Sequence, residues 1–198
     1  MKPKTTSSSK TTQSIALLLF GVGLILIGLA SVMLIPRTEA NAIEATPPAE
    51  TGGNSAIPVE VNFPAPDLRL SDLSGQSFTL TDFAGQMVLV NNWAIWCPPC
   101  KAELPDLNKF YLKYQDQGFV IVGIEAGSPQ AEVAAYVDQA GLSFPIWVDP
   151  QELALDAFMN FSLPSSYLID RTGQIKLAWT GAISYDMLEK HVAPLLSD

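Results

Sequence analysis

Hydrophobic positions along the 198 residues fall into three regimes. The first is continuous. Residues 15–35, IALLLFGVGLILIGLASVMLI, carry no charge, and none occurs between Lys10 and Arg37. Twenty-one apolar residues at about 1.5 Å each reach roughly 30 Å, the hydrocarbon thickness of a bilayer, so the run predicts a transmembrane helix. A buried core helix would show a polar stripe and caps, and this run has neither. The second regime, 36–58, PRTEANAIEATPPAETGGNSAIP, has no apolar period and is rich in Pro, Ala, Thr and Gly. It predicts a flexible tether. The third, 59–198, mixes periods of two and 3.6, and its length of about 140 residues is ample for one packed core.

Within that third part, FTLTDFAG (78–85) alternates and breaks at Gly85, predicting a short strand and a turn. MVLVNNW (87–93) and FVIVGIE (119–125) are apolar runs suited to a sheet covered on both faces. From Pro98 to about Gln117, Leu104, Leu107, Phe110, Tyr111 and Tyr114 recur at helical spacing. A proline in the first turn starts a helix well, and Pro105 is expected to kink it. QAEVAAYVDQAG (130–141) predicts a helix stopped by Gly141, FPIWVD (144–149) a strand, and PQELALDAFMNF (150–161) a further helix. SSYLID and IKLAWT flank RTG (171–173) as a β-hairpin, and YDMLEKHVAPLL closes the chain as an amphipathic helix. Strands alternating with helices, then a late hairpin, predict a three-layer α/β/α domain with a mixed sheet.

Charge adds orientation. Lys2, Lys4 and Lys10 precede the apolar run and Arg37 alone follows it closely, so residues 1–14 are expected in the cytoplasm and the rest outside. A cleaved signal peptide has an apolar region of only about 7–15 residues, which favours a retained anchor, although ANA at 40–42 offers a competing cleavage site. After residue 58 there are 7 Lys and Arg against 17 Asp and Glu. That balance argues against nucleic-acid binding, which needs clustered cations.

The chemistry centres on WCPPC (96–100), which holds both cysteines of the chain. A structural staple is a poor reading, since closing a four-residue loop contributes about 2 kcal/mol against about 5 for a loop of 100. Metal is poor too. A structural zinc site needs four ligands, and Cys97, Cys100 and His191 are the only Cys and His present. Redox chemistry suits the placement. Cys97 follows a predicted strand and opens a predicted helix, whose unpaired N–H groups favour an anion. An ordinary thiol with a pKa near about 8.5 is only a few per cent thiolate at pH 7, and lowering it to about 7 makes it half thiolate. Cys97 is therefore the expected exposed nucleophile and Cys100, one turn in, the resolving thiol.

Taken with Pro105 and the late LPSSYLID, the stretch VLVNNWAIWCPPC resembles the thioredoxin superfamily, and in particular the membrane-anchored TlpA/ResA-type thiol–disulfide oxidoreductases. The segment APDLRLSDLSGQSFTLTDFAGQMVLVNNWA is similar to the start of that family's domain, and the helix and strand at 130–148 to its usual insertion. The likeness implies a thioredoxin-like α/β/α sandwich over 59–198. It implies that Pro164 is cis and lies against the cysteine loop, with Leu163 offering backbone groups to a substrate. Glu103, three residues after Cys100, corresponds to a glutamate that tunes the cysteines, and Trp96 to a tryptophan that shields them. Where cytosolic thioredoxins carry a buried Asp, Asn91 stands, so Glu103 is the better carboxylate for Cys100. Glu125 and His191 are read as structural or solvated.

The resemblance further implies an extracytoplasmic dithiol reductase of protein disulfides, with an apocytochrome c as client and a membrane thiol protein as electron donor. No cofactor beyond the redox disulfide and no metal is expected. The alternatives are a disulfide-forming oxidant, a copper metallochaperone and a thiol peroxidase. The chaperone pattern needs three residues between the cysteines and a further His. The peroxidase pattern needs Thr or Ser at Ala94 and Pro at Val90.

Overall fold

A computed structural model describes residues 55–196. The expected cytoplasmic segment, the anchor at 15–35 and the tether as far as 54 lie outside the described residues. Among those described, no helix is long and apolar enough to cross a membrane. The last residues of the expected tether are hydrogen-bonded to the domain: Ala56 N–H donates to Ala182 O at 2.8 Å, and Ser184 N–H donates to Ser55 Oγ at 2.9 Å. Residues 55–58 thus already belong to the folded domain.

Eight strands form one mixed sheet: β1 (Val59–Pro64), β2 (Arg69–Asp72), β3 (Ser77–Thr79), β4 (Met87–Trp93), β5 (Phe119–Ala126), β6 (Ile146–Asp149), β7 (Ser165–Ile169) and β8 (Gln174–Thr180). Their order is β1-β8-β7-β4-β5-β6-β2-β3. Only β4–β5 and β5–β6 pair in parallel. These are the pairs joined by the helices α1 (Pro98–Tyr114) and α2 (Gln130–Ala140), as a parallel crossover requires. β4 and β5 are buried along their whole length, which is why they read as unbroken apolar runs.

Alternate side chains feed two cores. Leu89, Ile121 and Leu168 pack with Leu104, Leu107 and Phe110 of α1, Val133 of α2, and the C-terminal helices α4 (Tyr185–His191) and α5 (Ala193–Leu196) through Leu188, Val192 and Leu196. Val88, Val90, Val122, Ile124 and Tyr167 face the other way, onto Leu80, Ala154 and Phe158. This third layer is thin, consisting of a 3-10 turn (Leu80–Phe83) and the short helix α3 (Leu153–Ala157). A bulge in the β7–β8 ladder, between Leu168↔Leu177 and Ile169↔Ile175, re-aims one strand. Ile175 joins the second core while Leu177 and Trp179 join the first.

Three expectations need correction. The helix predicted over 150–161 is only Leu153–Ala157, because Glu152 and Met159 take left-handed backbone, with φ of 59° and 53°. Asp149 Oδ2, at the end of β6, accepts the Ala154 N–H at 2.7 Å and satisfies one free donor of that helix's first turn. The C-terminal helix is two pieces, since Pro194 has no N–H with which to continue it. The strand expected in 78–85 ends at Thr79, where Asp82 Oδ2 accepts the Thr79 N–H at 2.7 Å and starts the 3-10 turn. Helix α1 runs through Pro105 without interruption, and Pro105 and Lys101 one turn before it are both exposed, so the carbonyl left without a donor is on the solvent side.

The one ion pair among the described residues, Lys113 Nζ to Glu189 Oε1 at 2.8 Å, joins α1 to α4 at the surface. Lys113 is exposed and Glu189 half-buried, so Lys113→Ala should cost no more than about 1 kcal/mol in urea denaturation. A larger loss would mean that the pair holds α4 in place.

Candidate active site

Strand β4 delivers the chain to the sheet's carboxyl edge, and a turn over 94–97, closed by Cys97 N–H to Ala94 O at 3.1 Å, leads into α1. Cys97 caps that helix in extended conformation, with φ −94° and ψ 107°. Pro98 and Pro99 fill the first two helical positions and bring no N–H groups. The first free donor of the helix is therefore Cys100 N–H, and it points to Cys97 Sγ at 3.3 Å. The two prolines leave one backbone donor, aimed at the nucleophilic sulfur, in addition to the helix dipole.

Cys97 and Cys100 form a disulfide with S–S 2.04 Å. Cys100 is fully buried, whereas Cys97, expected to be exposed, is only 4% accessible. It packs with Trp93 and Ala94 in the first core, which accounts for the difference. Trp96, the neighbour predicted to shield the pair, is 63% exposed.

Glu103 lies one turn below Cys100 and is buried. Its Oε1 accepts from Asn91 Nδ2 at 2.8 Å and its Oε2 from Ile183 N–H at 2.9 Å. Asn91 Nδ2 also donates to Ser166 Oγ at 3.0 Å. Burial pushes the Glu103 carboxyl up to about 7, against the two hydrogen bonds, with the Asp106 charge adding to the rise. At neutral pH it can both take and give a proton. Asn91, at the place of a buried Asp in cytosolic thioredoxins, becomes its hydrogen-bond partner instead.

The Leu163–Pro164 peptide is cis. Ser165, next in the chain, pairs with Asn92, so Pro164 stands at the edge where β4 ends and the cysteine turn begins. Pro164 O accepts from Gly181 N–H at 2.8 Å, and Leu163 is half-buried. The six predicted site residues thus derive from two elements, β4–α1 and the start of β7, that meet at one edge.

Two groups escaped the sequence reading. Glu125, read as structural or solvated, is fully buried, and it contacts the turn before Cys97. Burial, ahead of its hydrogen bonds, holds its carboxyl above the usual range. The available signal was a lone charge inside FVIVGIEAG. Ser166 was legible only as a strand residue.

Residues 61–178 match the AhpC/TSA family. The thiol-disulfide oxidoreductase ResA of Geobacillus thermodenitrificans is 39% identical over 134 residues, 68% of this chain and 77% of that protein. ResA of Halalkalibacterium halodurans is 38% identical over 121 residues, 61% of this chain and 69% of that protein. A crystal structure of a thiol:disulfide interchange protein of the thioredoxin family from Chlorobium tepidum superposes with a TM-score of 0.61. It is 26% identical and covers 70% of this chain and 99% of that one.

Proposed function

Since this chain belongs to the AhpC/TSA family, and within it is a ResA-like thiol–disulfide oxidoreductase of thioredoxin fold, we propose that it works outside the cytoplasm as a membrane-anchored dithiol reductase of protein disulfides. Its proposed client is an apocytochrome c, whose cysteines must be reduced before haem is attached. The observation that carries the reading is the site itself: one cysteine caps a helix, and its buried partner stands one turn above a carboxyl titrating near neutrality.

In the reduced protein, the Cys97 thiolate attacks one sulfur of the client disulfide. That S–S bond breaks, a mixed disulfide forms, and the departing client sulfur takes a proton. Glu103 accepts the Cys100 proton, and the Cys100 thiolate attacks Cys97 Sγ. The second client sulfur leaves with a proton, and the Cys97–Cys100 disulfide remains. Two electrons and two protons pass to the client in each cycle. A membrane thiol protein supplies them again, and no nicotinamide, flavin or metal is required. Trp96, Leu163 and Pro164 are the residues proposed to receive the client backbone.

The deciding experiment is equilibration of the full-length protein, in mild detergent, with thiol buffers of known potential. A reduction potential near or below about −270 mV supports the reductase. One near about −120 mV would make the protein an oxidant of thiols. Reduction of an oxidised C-x-x-C-H peptide by the reduced protein then tests the client.

A further inference from the structure

Glu125 is the last residue but one of β5 and faces Trp93 across the parallel β4–β5 ladder. No part of it reaches solvent. Three donors converge on its carboxylate. Oε1 accepts from Ile95 N–H at 3.1 Å and from Ser128 Oγ at 2.7 Å, and Oε2 accepts from Ser128 N–H at 3.2 Å. Ile95 is the second residue of the 94–97 turn, and Ser128 lies in the turn that precedes α2. One carboxylate therefore joins the two loops that leave the sheet's carboxyl edge on either side of α1. A buried carboxylate is costly unless its lone pairs are filled, and the neighbouring Asp149 on β6 adds a like charge rather than relief. An apolar residue would complete FVIVGIE at lower cost. The donors that Glu125 collects, not core packing, account for its presence.

We propose that Glu125 is a positioning residue for Cys97, clamping the 94–97 turn to the 127–129 turn so that the sulfur is held against the Cys100 N–H at the start of α1. The clamp presupposes thiol–disulfide exchange by the cysteine pair, but neither its direction nor its client. It acts through backbone, without touching substrate. If the turn loosens, Cys97 loses alignment with the helix N-terminus, its thiol pKa rises, and less thiolate is present at neutral pH. Mere removal of a nearby negative charge would lower that pKa instead, so the two effects differ in sign.

The test uses the reduced full-length protein in mild detergent. The thiolate absorbance of Cys97 is titrated, and the rate of reaction with dithiobis(nitrobenzoic acid) at pH 7 is followed. Glu125→Ala is expected to raise the Cys97 pKa by about one unit and slow the reaction about fivefold. Ser128→Ala, which spares the hold on Ile95, should change the rate less than about threefold. A folded Glu125→Ala protein with an unchanged or lowered thiol pKa overturns the clamp. Should that variant fail to fold, Glu125→Leu, which keeps the side chain's bulk, decides. It leaves the Ile95 N–H without its acceptor, so a slower reaction supports the clamp, and a wild-type or faster rate overturns it. The unsubstituted protein is measured alongside, and its failure to form a reversible Cys97–Cys100 disulfide would defeat the oxidoreductase assignment itself.

Discussion

Cys97→Ser is expected to remove disulfide-reducing activity by more than about a thousandfold, whereas Cys100→Ser should arrest the protein on its substrate through Cys97. The asymmetry follows from position. Cys97 Sγ accepts the first free N–H of α1 and retains a few per cent of exposure, while Cys100 is sealed inside. The helix start stabilises a thiolate on Cys97, and an alcohol there stays protonated at neutral pH. Without Cys100 the attack still proceeds, but no thiol stands one turn away to release the client. Mass spectrometry of Cys100→Ser incubated with an oxidised peptide should therefore find a covalent adduct, and proteolysis should place it on Cys97. An adduct on Cys100 in the Cys97→Ser protein would reverse the assignment of roles.

The second large effect concerns Glu103. Its carboxyl titrates at about 7 in the folded protein against a reference of 4.5. The folded state thus holds this proton more tightly than the unfolded chain. The stabilisation is complete below about pH 4.5 and is lost as pH rises through about 7. The difference amounts to about 3 kcal/mol between those limits. Glu103→Gln should abolish this part of the pH dependence. Gln can keep the Ile183 N–H on its oxygen, and a half-turn of the Asn91 amide would present Asn91 Oδ1, a buried atom now without a partner, to the new NH2. Denaturation of both proteins at pH 5 and pH 8 isolates the contribution as a difference, because the other carboxylates are common to both. Wild type should lose ground to the variant on going to pH 8. Equal slopes would mean that Glu103 stays in one protonation state throughout. The same substitution removes the proton acceptor for Cys100, so resolution of the mixed disulfide should slow about a hundredfold. The initial attack by Cys97 should change much less.

These effects were unequally visible in the chain. β4, the start of α1 and the hairpin at 171–173 follow from local rules: an apolar run of strand length, proline at the first helical position, and turn residues between two strands. The cysteine pair was legible for the same reason, since three residues of spacing at a helix start need no distant partner. The ends of α3 were not, because Glu152 and Met159 adopt left-handed backbone against their own preference. Only surrounding structure can impose that.

What the sequence determined by itself is the class of chemistry and the elements that carry it, because periodicity, proline and a C-x-x-C pair act over a few residues. What only the tertiary structure decided is the state of the carboxyl groups. Glu103 meets Asn91 twelve residues away and Ile183 eighty residues away, and Glu125 meets Ile95 thirty residues away. In the sequence, Glu103 has a role only through the family resemblance, and Glu125 reads as structural or solvated. Burial between particular strands sets the pKa of Glu103 and gives Glu125 its donors, and burial depends on strand order and register, which no local pattern encodes.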